Sequence, residues 1–395
     1  MQACAIIGAG PAGTGVLRQL AAAGVRDVAI LDPRPIACAG TLGDHVIGSD
    51  TRASKLLSLL PDVPDLARAR RHLARHGDGP APLRVAGEAL RDLGTWCVDS
   101  SGARFVRTRV TSLRRCGGGW DLTREDGARL RARSVILALG GAEVEQRGPA
   151  LLCQYGVSRA VTPSGQVLSG KTRLSGRIAV LGGSHSAMAV AGLVLRGDPD
   201  ARVTLIHRSP LHPTYADAAE ATAAGAGFTA GDVCAATGRV FALGGFRLDA
   251  ADLLRRHRSG REPRLSFLHA GEVASCRDAL ERADTVVGAL GYAPRTVPVL
   301  ESDGREIALG PRVDPASRVL CARGLPIPGL FRLGLAAGLD LAGRFGEPGF
   351  RGQANGLALW HREVGADIAR QVGHRAAEPT GRRHDRTQHH TVHPA

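Results

Sequence analysis

The sequence predicts an α/β protein with two Rossmann-like dinucleotide-binding domains, the second inserted in the first. Two observations carry that prediction and a third bounds it. "ACAIIGAGPAGTGVLRQLAAAG" (residues 3–24) passes from a short apolar stretch through a glycine turn into an Ala/Leu-rich helical period. "RIAVLGGSHSAMAVAGLVLR" (177–196) repeats that order. At 395 residues, 44% hydrophobic and 22% charged, the chain is long enough for two nucleotide-sized cores.

The elements follow in order. "VAILD" (28–32) is a second strand ending at Asp32. "RFVRTRVTSLRR" (104–115), "GWDLTRED" (119–126) and "RARSVILALGG" (131–141) read as strands of a small meander returning to the parallel sheet. After the second glycine turn, "RVTLIHRSP" (202–210) repeats the second strand and "ADTVVGALGYAPR" (283–295) closes the unit. "GLFRLGLAAG" (329–338), with a helix through "ANGLALWHREVGADIARQV" (354–372), returns to the first domain. The expected boundaries are 1–165 with 285–373 for the first domain and 166–284 for the second. Residues 374–395 are polar and rich in Pro, His and Arg, which predicts a disordered tail. "DVCAATGRVFALGGFRLDA" (232–250) matches no motif; it would shape a substrate pocket or a subunit contact.

Composition narrows the function. The net charge is +14, almost all of it arginine, with Lys55 and Lys171 the only lysines. Aromatics are 4% and do not interleave with a basic stripe, which argues against nucleic-acid binding. An Arg-biased composition explains most of the charge, and the functional share favours phosphate-bearing cofactors. Eight scattered cysteines without C-x-x-C argue against a disulfide framework, a zinc site or a dithiol centre, and no metal site is expected. No apolar run approaches the roughly 18 residues of a membrane span. The first strand begins within a few residues of Met1, leaving no room for a leader, so a cytoplasmic location is expected.

In the first turn Gly8, Gly10 and Gly13 occupy the G-x-G-x-x-G positions. The first permits the tight turn, the second lets backbone meet pyrophosphate, and the third lets helix pack on strand. Asp32, nineteen residues after Gly13, stands where a carboxylate accepts from ribose hydroxyls. The second turn reads Gly182-Gly183-Ser184-His185-Ser186-Ala187. Ser184 replaces the second glycine and Ala187 the third, as is common in NADP-type turns. The following strand ends in Arg208, whose guanidinium can pair with a 2′-phosphate where an acid would repel it. That favours NADPH over NADH; otherwise Arg208 is a solvated strand end. His185 either hydrogen-bonds the NADP pyrophosphate or a cofactor-proximal water, or is a satisfied surface residue.

Several of these stretches resemble a known family. "GAGPAG", with Pro11 and Ala12, is similar to the FAD-binding turn of two-dinucleotide-domain flavoproteins. "SVILALGG" (134–141) stands where that superfamily has its A-T-G motif, which places Ala138 and Gly140 under the flavin, and Val110 matches the strand that meets adenine. "VLGGSHSAMA" with "VTLIHRSPLHPTYADAAEATAAGAGF" resembles the NADPH domain of class B flavin monooxygenases, especially those that N-hydroxylate amines. "VVGALGYAPR" looks like their A-T-G-Y motif, with Leu290 for Thr, and brings Gly291 and Tyr292 to the nicotinamide side. "GLAAG" (334–338) replaces the G-D of disulfide reductases and puts Gly334 and Leu335 near the flavin.

The resemblance implies FAD and NADPH as cofactors and a small-molecule amine or sulfur nucleophile and O2 as substrates, with oxygen passed on by a C4a-hydroperoxyflavin. A homo-oligomer is compatible with it. It implies that "GTLGDHVIGSDTRASKLL" (40–57) lies near the isoalloxazine, with His45, Ser49 and Asp50 as candidate active-site groups, and that Asn355 opens the last helix facing the flavin or caps it. Two departures stand out: the F-x-G-x-x-x-H signature of Baeyer–Villiger relatives is missing, and the substrate stretches of ornithine and lysine hydroxylases are not recognisable. An NADPH-dependent flavoprotein reductase or electron-transfer enzyme and a non-catalytic FAD/NADP-binding protein remain the alternative readings.

Overall fold

The computed structural model describes residues 1–34, 40–340, 346–350, 352 and 356–377. Five parallel strands form the heart of a larger sheet, in the order Arg104–Arg107, Val28–Asp32, Gln2–Ile7, Arg129–Leu137, Pro326–Arg332. Ile6 sits opposite both Ile30 and Ile136. The central strands Gln2–Ile7 and Val28–Asp32 and the second half of Arg129–Leu137 are almost continuously apolar because both faces are covered there, as parallel sheets require. The helix Pro11–Ala22 lies on one face and buries Val16, Leu17 and Leu20; the helix Glu363–Ala377 packs beside it with Ile368 and Val372.

A second, wholly parallel sheet has the order Val161–Pro163, Thr285–Gly288, Arg177–Leu181, Arg202–His207, Leu265–His269. The helix His185–Gly197 covers one face, and the helices Arg147–Gln154 and Val273–Arg282 the other. The chain crosses between the units at Gly141–Glu143 and returns at Tyr292–Pro294, and these two segments pair as an antiparallel ribbon.

Four expectations change. The second unit is wider than 166–284, because Val161–Pro163 and Thr285–Gly288 bond into its sheet and Leu152 and Tyr155 enter its core. Arg104–Arg107 is not part of the meander; it pairs parallel with Val28–Asp32 as the sheet's edge, and the meander begins at Val110. Residues 374–377 belong to the last helix rather than a tail, because Arg133 donates to the carbonyl of Ala376 and satisfies the final turn. Residues 378–395 lie outside the described residues. Finally, the nineteen-residue helix Leu83–Ser101 is absent from the sequence reading, although Ala86, Leu90, Leu93 and Cys97 bury one face at helical spacing and Gly102, at φ +66°, ends it.

His361 shows how tightly the first unit is packed. Its ring is fully buried, a Cβ on Gly15 would come within 2.8 Å of it, and neither ring nitrogen makes a well-formed hydrogen bond among the described residues. Burial, reinforced by Arg18, pushes the imidazole down to about 4 from 6.5. The folded state therefore resists a proton that the unfolded chain accepts. Stability should fall as pH drops from about 6.5 to about 4, by up to roughly 3 kcal/mol from this residue, and be unaffected above that window. His361→Leu should flatten the loss of melting temperature between pH 7 and 5 relative to wild type; parallel curves for the two proteins would show that the buried ring is not responsible.

Candidate active site: two glycine turns on one cleft

Both glycine turns are pressed against the neighbouring strand by the same contact. Gly8 has φ +103°, and a Cβ there would lie 2.3 Å from the carbonyl oxygen of Ala138. Gly182 has φ +128°, and its Cβ would lie 2.4 Å from that of Ala289. Only glycine permits either approach. Each turn then delivers the N-terminus of a long helix, capped by Gly10 in one and Ser184 in the other, both extended. Pro11 takes the first helical position, where its missing N–H costs nothing.

The second position decides what a turn can receive. Among the described residues a Cβ on Gly10 would meet only Gly40, at 3.8 Å, so their packing does not demand glycine there. The open space in front of Gly10 belongs to the cleft, which fits a phosphate held by helix amides. Ser184 is exposed on the same cleft and its hydroxyl makes no capping bond. The third position lies behind the wall. A Cβ on Gly13 would be 1.9 Å from the Gly8 carbonyl oxygen, whereas the second turn accommodates the buried methyl of Ala187.

The cleft encloses about 2830 Å³ between the two units, severalfold the roughly 300–1,000 Å³ of one small-molecule site. Asp32 lines it with its carboxylate oriented by the backbone N–H groups of Ala9 (2.8 Å) and Arg34 (2.9 Å). Val110, Ala138, Gly140, Gly334 and Leu335 line it on the same side, and a Cβ on Gly334 would press to 3.0 Å on Ala12. On the other side stand Gly182, Gly183, Ser186, Arg208, Gly291 and Tyr292. Arg208 is exposed just past its strand and makes no ion pair among the described residues. Burial and the nearby Glu143 raise the Tyr292 phenol above its ordinary value.

The candidate catalytic residues separate. His45 lines the cleft, with Nδ1 3.4 Å from the carbonyl of Leu42. Ser49 is consumed by structure: it is buried, donates to the Thr51 carbonyl at 2.5 Å and accepts from the Ala81 N–H at 3.2 Å, tying Gly48–Arg52 to Pro80–Pro82. Asp50 is committed to an ion pair with Arg247 at 2.9 Å. Partial desolvation works to raise its half-exposed carboxyl, but Arg247 and His185 overcome that and hold it below the usual range. Asn355 lies outside the described residues. Nothing in the sequence announced Arg247, whose partner is 197 positions away.

His185 is half-buried at the start of the second helix. Its Nε2 accepts the backbone N–H of Arg247 at 3.2 Å, and its ring meets Phe246 edge-on at 5.3 Å. Burial brings it to about 4 from 6.5, so it is neutral at physiological pH. Segment 232–250 supplies these contacts and lines the cleft with Leu243, Phe246 and Arg247. It is pinned to the first unit by buried Glu347, which accepts from the N–H groups of Leu243 (3.0 Å) and Gly244 (2.7 Å).

Two strand–glycine turn–helix units facing one cleft define a two-dinucleotide oxidoreductase. Residues 2–334 match the pyridine nucleotide-disulphide oxidoreductase family. Over 94% of its length, and 97% of the relative's, the chain is 31% identical to CMP-5′-(3-aminopropyl)phosphonate hydroxylase from Streptomyces rubellomurinus. Among solved structures it resembles an ornithine N-hydroxylase from Kutzneria sp. 744, determined with reduced FAD, NADP⁺ and L-ornithine (16% identity, 95% and 99% of the two chains, TM-score 0.56). It also resembles thioredoxin reductase from Lactococcus lactis (14%, 94% and 98%, TM-score 0.52). These two likenesses establish the shared fold. The chain belongs to the pyridine nucleotide-disulphide oxidoreductase family and is related along nearly its whole length to the Streptomyces hydroxylase; it is an oxidoreductase. No helix among the described residues is long and apolar enough to cross a membrane.

Two measurements check the turns. Gly10→Ala should leave the apoprotein within about 1 kcal/mol of wild type yet abolish FAD retention, while Gly13→Ala should cost about 3 kcal/mol or more through overpacking. A flavin-replete Gly10→Ala protein would contradict the cradle. Arg208→Ala should raise the KM for NADPH about 10- to 100-fold, the worth of a charge-assisted bond, and spare NADH; unchanged NADPH preference would remove Arg208 from phosphate recognition.

Proposed function

We propose that the protein N-hydroxylates a primary amine that carries an anionic phosphonate or phosphate group, at the expense of NADPH and O2. The observation that carries this reading is the end-to-end likeness to a hydroxylase named for an aminopropyl phosphonate linked to CMP. The N-hydroxylase fold of the Kutzneria protein supports nitrogen as the oxygenated atom. The cleft adds a chemical reason for the anion. In a chain whose basic residues are otherwise all arginine, both lysines, Lys55 and Lys171, line the cleft. Both are exposed and make no ion pair among the described residues. A compact ammonium suits a phosphonate that must be held as a point charge and released.

The chemistry supplied by bound FAD is acceptance of a hydride from NADPH and activation of O2. The chain's residues have the quieter work of binding and exclusion. The first turn with Asp32 would hold the flavin nucleotide, and the second turn with Arg208 the NADPH. Phe246 and Leu243 keep the wall between them apolar, which limits water. His45 is the remaining acid–base candidate: with Nδ1 turned to the Leu42 carbonyl, its Nε2 would accept the proton an ammonium must lose before nitrogen can act as a nucleophile.

NADPH oxidation should rise well above its basal rate with aminoalkyl phosphonates and their nucleotide conjugates, and yield hydroxylamine in proportion. Simple alkylamines should stimulate weakly, and Lys55→Ala or Lys171→Ala should raise the KM for the phosphonates about tenfold. Peroxide as the sole product with every amine, or rapid turnover that needs an external electron acceptor, would sink the reading and favour a reductase.

A further inference from the structure

One of the ties between the two domains is a chain of three residues that neither glycine motif contains as a unit. Asp50 lies on the strand Gly48–Arg52 of the first domain, and its carboxylate holds the guanidinium of Arg247 at 2.9 Å. Arg247 is the N-cap residue of the helix Leu248–Arg258, and its backbone N–H reaches the Nε2 of His185 at 3.2 Å. His185 is the first residue of the NADPH-turn helix. An imidazole nitrogen that accepts an N–H carries no proton, so the neutral ring must hold its proton on Nδ1. That Nδ1 has no partner among the described residues, and the ring lines the cleft beside Ser184 and Ser186.

We propose that Arg247 is a positioning residue: anchored on Asp50, it fixes His185 as the Nδ1–H tautomer, and His185 donates that proton's hydrogen bond to the pyrophosphate of NADPH. Asp50 then serves nucleotide binding from across the cleft rather than the chemistry. The arrangement suits the helix start, where a neutral donor adds to the exposed amides without bringing a charge that titrates with pH. Phe246, which holds the ring edge-on, keeps it from turning. The inference rests on NADPH occupying the second turn and is independent of the amine substrate.

NADP⁺ titrated calorimetrically into the FAD-loaded protein tests it without turnover, so a failure here is distinct from failure to hydroxylate an amine. His185→Leu should weaken NADP⁺ about tenfold, and His185→Asn, whose amide can place a donor where Nδ1 was, should stay within about threefold of wild type. Asp50→Asn should weaken NADP⁺ by about three- to tenfold but add little in the His185→Leu background, since both act through one donor. Nitrogen-15 shifts of the wild-type ring should show the proton on Nδ1. An Nε2–H ring, an unchanged affinity in Asp50→Asn, or additive effects in the double variant would each overturn the assignment.

Discussion

The structure depends on one repeated constraint: a glycine at positive φ lets backbone pass against backbone where a strand hands over to a helix. At Gly8 the neighbour is the carbonyl of Ala138, and at Gly182 that of Ala289, in nearly the same geometry. A methyl at either point would have to displace a central strand of its sheet, which no local adjustment can absorb. Because the approach is fixed, the direction of each following helix is fixed too. Both helix N-termini therefore open on the same cleft, and every other feature of the site is arranged around them.

What holds the two units in that relation is polar and unequal. The half-exposed Asp50–Arg247 pair contributes little by itself, about 1 kcal/mol or less, as exposed ion pairs do. The buried Glu347 is the stronger tie, since removing it would break the hydrogen bonds from the N–H groups of Leu243 and Gly244, each worth roughly 1 kcal/mol where water can reach the donor. Segment 232–250 thus becomes part of the cleft wall through contacts with both domains. The ribbon of Gly141–Glu143 and Tyr292–Pro294 supplies the covalent crossing, and these later ties supply the closure.

The shared fold does not by itself separate reductases from monooxygenases, since both occur among chains of similar shape. The sequence carries no C-x-x-C motif of the kind that relays electrons in dithiol reductases, and its likeness to a hydroxylase extends along nearly the whole length.

The sequence by itself determined the two nucleotide units, their order, and the turn residues from Gly8 to Asp32 and from Gly182 to Arg208. Those features are local: a turn, a cap and a strand end are written in residues a few positions apart, and their conformational demands are specific. The helix Leu83–Ser101 was legible in its buried spacing and went unread because no motif drew attention to it. The domain borders were decided by which sheet a short strand bonds to, and Val161–Pro163 carries no sign of that choice. Only the tertiary structure decided that Ser49 is a structural hydroxyl, that Asp50 answers to Arg247, and that Glu347 pins a segment a hundred residues away. Such pairings join residues whose local sequence is indifferent to them, and their energies exist only once the chain has brought them out of water together.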